Sequence, residues 1–337
     1  MRKVLLTTTA LVALGGVSAA SAIEISGGYM FDYNSTDNTG NAADAANVSG
    51  NKFGSDGNID FKGSTTTDSG LTFGGMIRMQ TNNDGGASAM EIEDQGLYIS
   101  GDFGYIMMGQ TDGVVDGMDS FMTTGNLVEN GVATTNDANM NLNTQVLDNE
   151  SAGKIGYRSN NISGFQFGVS HEDGGSGAAE NDDLTSWIVT YDLMGAAKLG
   201  YASAKVKNAS NTGADTTYTQ AGISTSVAGF TIQAAVGTEK IAGAAGVADT
   251  SKVDTTDIGI QYSLNDSTGL YFVDVSSEDK TGTNSGDKLD GNTFGLSYSV
   301  APGVSALLEY NDAEFKDSSA STTEGRTNTY VGLAVSF

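Results

Sequence analysis

The lengths of the connections constrain this chain most, because they alternate between long and short from one end to the other. Sixteen runs rich in Val, Ile, Phe, Tyr and Thr show the two-residue period of β-strands. They fall near 23–33, 57–64, 70–80, 89–100, 103–110, 152–159, 164–171, 184–192, 196–204, 216–227, 229–237, 255–264, 269–276, 292–300, 303–311 and 327–337. Gly101-Asp102, Asn160 to Ser163, Leu193 to Gly195, Ala228, Asn265 to Thr268 and Ala301-Pro302 are short turns, and Thr65 to Ser69 is a little longer. Between them lie polar segments at 34–56, 81–88, 111–151, 172–183, 205–215, 238–254, 277–291 and 312–326. Eight long loops thus leave one end of an antiparallel set, while seven short turns and both termini sit at the other. A soluble sandwich has no reason for that asymmetry. A transmembrane barrel does, with short periplasmic turns and longer external loops.

Strand faces point the same way. In the last run Thr329, Val331, Leu333, Val335 and Phe337 share one face, and Asn328, Gly332, Ala334 and Ser336 the other. Leu71, Phe73, Ile77 and Met79 oppose Thr72, Gly74, Arg78 and Gln80; Phe230, Ile232 and Val236 oppose Thr231, Gln233 and Ala235. In 292–300, Phe294, Leu296, Tyr298 and Val300 oppose Thr293, Gly295, Ser297 and Ser299. Small or polar inward residues suit a water-filled interior, whereas a packed one needs large apolar groups. The run Phe103 to Gly109 alternates poorly, which suits a subunit interface or a position under a loop. Phe165, Phe230, Tyr262, Tyr271 and Tyr298 lie beside short turns, where an interfacial aromatic girdle belongs; Trp187, Tyr191 and Tyr201 fit the same pattern.

Composition removes the competing classes. Arg2 and Lys3, the apolar stretch Val4 to Val17 and the small-x-small Ala20-Ser21-Ala22 read as a cleaved export signal over residues 1–22. The barrel is then 23–337. No apolar segment of about 18 residues remains for a spanning helix. Cysteine is absent, which excludes thiolate metal sites and cysteine nucleophiles. A formal charge of −25 repels nucleic acid. His171 is the only histidine, no G-x-S-x-G motif accompanies it, and Gly27-Gly28 and Gly74-Gly75 sit inside strands rather than before a helix. An enzyme is not expected. Those glycines read instead as points of close strand approach or barrel curvature.

Two stretches then carry a resemblance: Gly63-Ser-Thr-Thr-Thr-Asp-Ser-Gly-Leu-Thr-Phe-Gly-Gly75 and Leu97-Tyr-Ile-Ser-Gly-Asp-Phe-Gly-Tyr-Ile-Met-Met-Gly109. With Ile23-Glu-Ile-Ser-Gly at the start and Tyr330-Val-Gly-Leu-Ala-Val-Ser-Phe337 at the end, they resemble the Rhodobacter-type general diffusion porins of alphaproteobacteria. The resemblance covers the first hundred residues and the terminus; in the middle it rests on strand rhythm. It implies a homotrimer of 16-stranded antiparallel barrels in the Gram-negative outer membrane, each with its own pore and an inward-folded third loop. Phe337 looks like the terminal residue read by the barrel-assembly machinery.

The longest connection, 111–151, follows the fifth strand, where that family has its constriction loop. It carries Asp112, Asp116, Asp119, Glu129, Asp137, Asp148 and Glu150 and no Lys or Arg. Lys62, Arg78, Lys154 and Arg158 are the candidate cations of the facing wall, sparser than the family's basic side. Parity turns Arg78 inward, and Lys154 and Arg158 share a face with Gly156 opposite Ile155 and Tyr157. A cation on the lipid face near the bilayer midplane would cost roughly 2–4 kcal/mol. Carboxylates opposite cations across a wet gap produce a transverse field that filters ions by charge. The acidic excess predicts a cation-preferring pore for small hydrophilic solutes, although loop charges beyond about 10 Å are screened at 0.1 M salt.

Calcium is the other reading of acid-rich loops. Asp112 to Asp119, Glu172-Asp173, Asn181 to Asp183 and Asp287 to Asp290 supply oxygen ligands, without the spacing of an EF-hand. Bridging to lipopolysaccharide at the outer surface is its natural setting. A substrate-selective channel would need a lumenal aromatic track or a lysine ladder, and the lumen-parity residues are mostly Gly, Ser, Thr, Asn and Gln. A structural or adhesive outer-membrane barrel remains the alternative from another class.

Overall fold

The computed structural model describes residues 23–39, 50–82, 90–121, 153–173, 182–208, 214–243, 249–282, 284–319 and 322–337. Sixteen strands run in chain order: β1 (Ile23–Thr39), β2 (Gly50–Thr66), β3 (Thr72–Asn82), β4 (Met90–Gly101), β5 (Gly104–Gln110), β6 (Gly153–Arg158), β7 (Phe165–Glu172), β8 (Asp182–Asp192), β9 (Lys198–Asn208), β10 (Thr216–Val227), β11 (Phe230–Ile241), β12 (Ser251–Asn265), β13 (Thr268–Asp279), β14 (Lys288–Ala301), β15 (Val304–Asp317) and β16 (Thr322–Ser336). Each pairs antiparallel with the next, and β16 returns to β1, so the sheet is a closed barrel without edges. Phe337 sits at that seam: its N–H donates to Gly27 O and its carbonyl accepts from Gly27 N–H, both at 3.0 Å. The residues read as an export signal, 1–22, lie outside the described residues.

Local chemistry accounts for the tight turns. Ala228 and Gly229 both have positive φ, 52° and 83°, as do Ser163-Gly164 and Met194-Gly195. Positive φ at both central residues matches the right-handed strand twist, and glycine at the second reaches it without a Cβ clash.

The strands run farther toward the long loops than their hydrophobic pattern indicates. β12 to β15 continue outward above the apolar band with Lys252, Asp254, Glu278, Lys288, Asp290, Asp312 and Glu314. Ion pairs stitch this extension, among them Lys252–Asp254 at 2.9 Å and Lys288–Glu278 at 3.4 Å. A ladder of backbone hydrogen bonds does not require lipid, so the wall continues where the apolar pattern stops.

Below that extension the outer surface is apolar and exposed: Phe31, Phe73, Ile77, Leu97, Phe167, Val189, Ile260, Phe272, Phe294, Leu308 and Leu333 all face outward. An exposed apolar belt of this extent marks a lipid-facing wall. Outward aromatics pair near the turns, Phe165 on Tyr191 at 4.2 Å and Phe230 on Tyr262 at 4.4 Å. Tyr271 departs from the girdle expectation. It pairs in register with Gly295 and donates to Glu309, which places it in the lumen. Parity along β13 decides this, since Leu270 and Phe272 take the lipid face.

The inner face is less uniformly polar than expected. It carries hydroxyl and amide pairs such as Thr293–Asn311 at 2.7 Å and Thr255–Ser277 at 2.6 Å. Yet Val273, Val275, Leu289, Ala313 and Phe315 also cluster, buried, on the inner side of β13 to β15. Adjacent in-facing positions on neighbouring strands let them bury one another.

Candidate functional site

The chain leaves β5 and turns into the barrel. Val114–Phe121 forms a short 3₁₀ helix whose Val114, Val115, Met118 and Phe121 are buried. They pack on Leu184, Ile188, Ala202 and Ala204 of the inner wall, with Val206 and Tyr218 at the margin. The wall has room because it lacks side chains there. A Cβ at Gly200 would fall inside the Phe121 ring's contact distance, one at Gly222 would meet the Cβ and ring of Phe121, and one at Gly168 would lie 3.0 Å from Val114. Glycine in these strands serves close approach of the loop.

Polar bonds fix the register of the docked loop. Val114 N–H donates to Ser170 Oγ at 3.3 Å, and Arg158 Nη2 donates to Val114 O at 3.1 Å. At the far end Gln233 Nε2 donates to Ser120 O at 2.9 Å, and Lys198 Nζ lies 5.6 Å from the centre of the Phe121 ring. The first part of the 111–151 connection therefore lies along the inner wall from β6 to β11. This also accounts for the irregular run at 103–109. Tyr105 and Met107 of β5 face inward beside the start of the loop, so both faces of that strand are covered by non-polar groups.

Of the loop carboxylates, Asp116 is exposed, Asp112 and Asp119 are half-buried, and Glu129 lies outside the described residues. All four wall cations face inward, and three of them, Lys62, Arg78 and Lys154, stand against carboxylates. Arg78 Nε donates to Asp60 Oδ1 at 2.9 Å and its Nη2 to Oδ2 at 3.4 Å; Asp94 lies 3.4 Å from Nη1 and Glu93 3.9 Å from Nε. Lys62 is 3.6 Å from the same Asp60. Lys154 is 3.8 Å from Glu172, both side chains almost fully buried. Arg158 is bonded to the loop backbone. Asp112 also lies close enough to Asp94 for the two carboxylates to repel.

Sequence reading thus identified the cations and missed their partners. Asp60, Glu93, Asp94 and Glu172 are wall residues, and only strand register shows Asp60 opposite Arg78 and Glu172 opposite Lys154. Among the described residues no group of three or more His, Asp or Glu is placed to hold a metal ion. Asp287, one of the candidate calcium ligands, accepts from Ser318 N–H at 2.7 Å and Ser318 Oγ at 2.8 Å.

A model of the Gram-negative porin family matches residues 7–318. No curated protein sequence matches the chain. Among solved structures, the anion-selective porin of Comamonas acidovorans superposes with a TM-score of 0.73 at 16% identity, covering 94% of this chain and 100% of its own. The in-vitro folded OmpT of Vibrio cholerae, in a trimer form, gives 0.69 at 13%, covering 95% and 100%. A variant of the Rhodobacter blastica porin gives 0.59 at 16%, covering 94% and 100%. At such identities these likenesses establish the fold.

Proposed function

This chain belongs to the Gram-negative porin family, an outer-membrane channel rather than an enzyme, and on that premise we propose that it forms a cation-preferring pore for passive diffusion of small hydrophilic solutes. The observation that carries the sign is the pairing of the wall cations. Arg78 is shared among Asp60, Glu93 and Asp94, Lys62 also leans on Asp60, and Lys154 sits against Glu172. Asp112, Asp116 and Asp119 then add charge from the loop, so carboxylates outnumber cations around the narrowing. A lumen with excess fixed negative charge concentrates cations and rejects anions.

The Comamonas porin of the same fold is described as anion-selective, so the barrel leaves the sign open and lumenal side chains set it. The homotrimer is part of the same reading, and the trimer form of the Vibrio neighbour supports it.

Single-channel recording of the purified protein in a planar bilayer, with reversal potential in a salt gradient, tests both. Ohmic steps closing in threes with cations preferred are expected. Anion preference would overturn the assignment of Asp60, Asp94 and the loop acids as the filter, and no conductance from a folded barrel would overturn the channel.

A further inference from the structure

Beneath the start of the docked loop the inner wall holds a cavity of about 330 Å³ that ion filtering does not require. Its wall is unusual for this lumen. Tyr98 of β4 and Tyr105 of β5 stack with ring centres 5.3 Å apart and planes 24° from parallel. The Tyr98 ring occupies the space that a side chain at position 74 would fill, so Gly74 is what allows it to lie there. Met76 and Met107 flank the pair, and Asp112 and Asp116 of the loop close the other side. Both rings are half-buried, so part of each remains accessible.

Each component selects the same chemistry. Tyrosine faces attract cations through the ring quadrupole, more strongly where the cation is desolvated. Thioethers make favourable contacts with aromatic rings and adapt to varied shapes. The lining carries two carboxylates, Asp112 and Asp116, against one cation, Arg158, for a formal balance of one negative charge. The cavity is at the small end of ligand sites, large enough for one or two fused rings.

We propose that the Tyr98–Tyr105 cavity is a lumenal binding subsite for small planar aromatic cations. The subsite rests on the channel reading, because solutes reach it through the lumen.

Binding is therefore measured without conduction, by saturation-transfer NMR of the detergent-solubilised protein with 1-methylquinolinium. Tetraethylammonium is the non-aromatic control of equal charge. Binding of 1-methylquinolinium at least tenfold tighter than tetraethylammonium is expected, with most of that margin lost in Tyr98→Leu/Tyr105→Leu and restored in Tyr98→Phe/Tyr105→Phe. Equal binding of the two cations, or no binding by the natural chain, overturns the subsite; the comparison between probes decides this even where a variant fails to fold. Bilayer recording of the same preparation separates the two claims: a conducting barrel that ignores 1-methylquinolinium loses the subsite and keeps the channel. A barrel that binds it but conducts nothing loses the channel.

Discussion

Between β6 and β11 the inner wall receives an apolar helix, whereas between β1 and β4 the same wall carries acids and bases in contact. The first region is built from absences: Gly168, Gly200 and Gly222 leave the hollow that Val114, Met118 and Phe121 fill. The second is built from cross-strand pairs, with Asp60 opposite Arg78 and Arg78 opposite Asp94. Both solve the problem of a wet barrel, which cannot hold its shape by filling its interior. One side anchors the start of the loop that enters the lumen, and the other lines the lumen with paired charges. Arg158 links them, since it is a wall cation spent on holding the loop backbone.

The strongest way to break this division is the ion pair that sits on the packed side. Lys154 and Glu172 side chains are 1% and 3% exposed. Removing the cation beside so buried a carboxylate, Lys154→Met, is expected to cost about 3–5 kcal/mol, whereas Lys154→Met with Glu172→Leu should recover most of it. Thermal unfolding in detergent reads both, and an unchanged midpoint in the single variant would mean that water reaches the pair.

Phe121→Ala attacks the packing directly. Phe121 is fully buried, so truncation is expected to weaken loop docking by about 3 kcal/mol or more. Limited proteolysis within 111–151 should accelerate and single-channel current should become larger and noisier; an unaltered current would show that the loop is held by its hydrogen bonds alone.

On the charged side, Arg78→Ala removes the cation shared by Asp60, Glu93 and Asp94. Arg78 is one-third exposed, so the expected destabilisation is smaller, about 1–3 kcal/mol. Reversal potentials should move toward stronger cation preference, and movement the other way would contradict the charge excess.

The smallest effect on stability is expected at Asp116, which is exposed on the docked helix. Asp116→Asn should change stability by less than about 0.5 kcal/mol while weakening cation preference. The difference should fade between 0.1 and 1 M salt, as the screening length falls from about 10 to about 3 Å. A difference that survives high salt would point to direct ion contact rather than a field.

Much of this molecule was legible in its residues. Parity turned Arg78, Lys154 and Arg158 inward correctly, because side chains on a strand alternate whatever the strand pairs with. The same rule, carried through β13, would have placed Tyr271 in the lumen; its position beside a turn was the weaker signal. Strand ends were harder. Lys288 to Gly291 and Asp312 to Asp317 look like loop by composition, yet they continue the ladder. The inward docking of the third loop came from family resemblance, and the glycines that receive it gave no separable signal among 46.

From sequence alone came the number of strands, the side on which the long loops lie, and the face presented by the residues of the cleanly alternating strands. Those follow from a period of two and from connection length, which are local properties of a chain. Only the tertiary structure decided which wall the loop rests on and which carboxylate neutralises which cation. Val114 meets Ser170, Gln233 meets Ser120, and Asp60 meets Arg78 across separations that no local pattern encodes. Such contacts depend on strand register and barrel closure, and the charge that a permeating ion meets depends on them in turn.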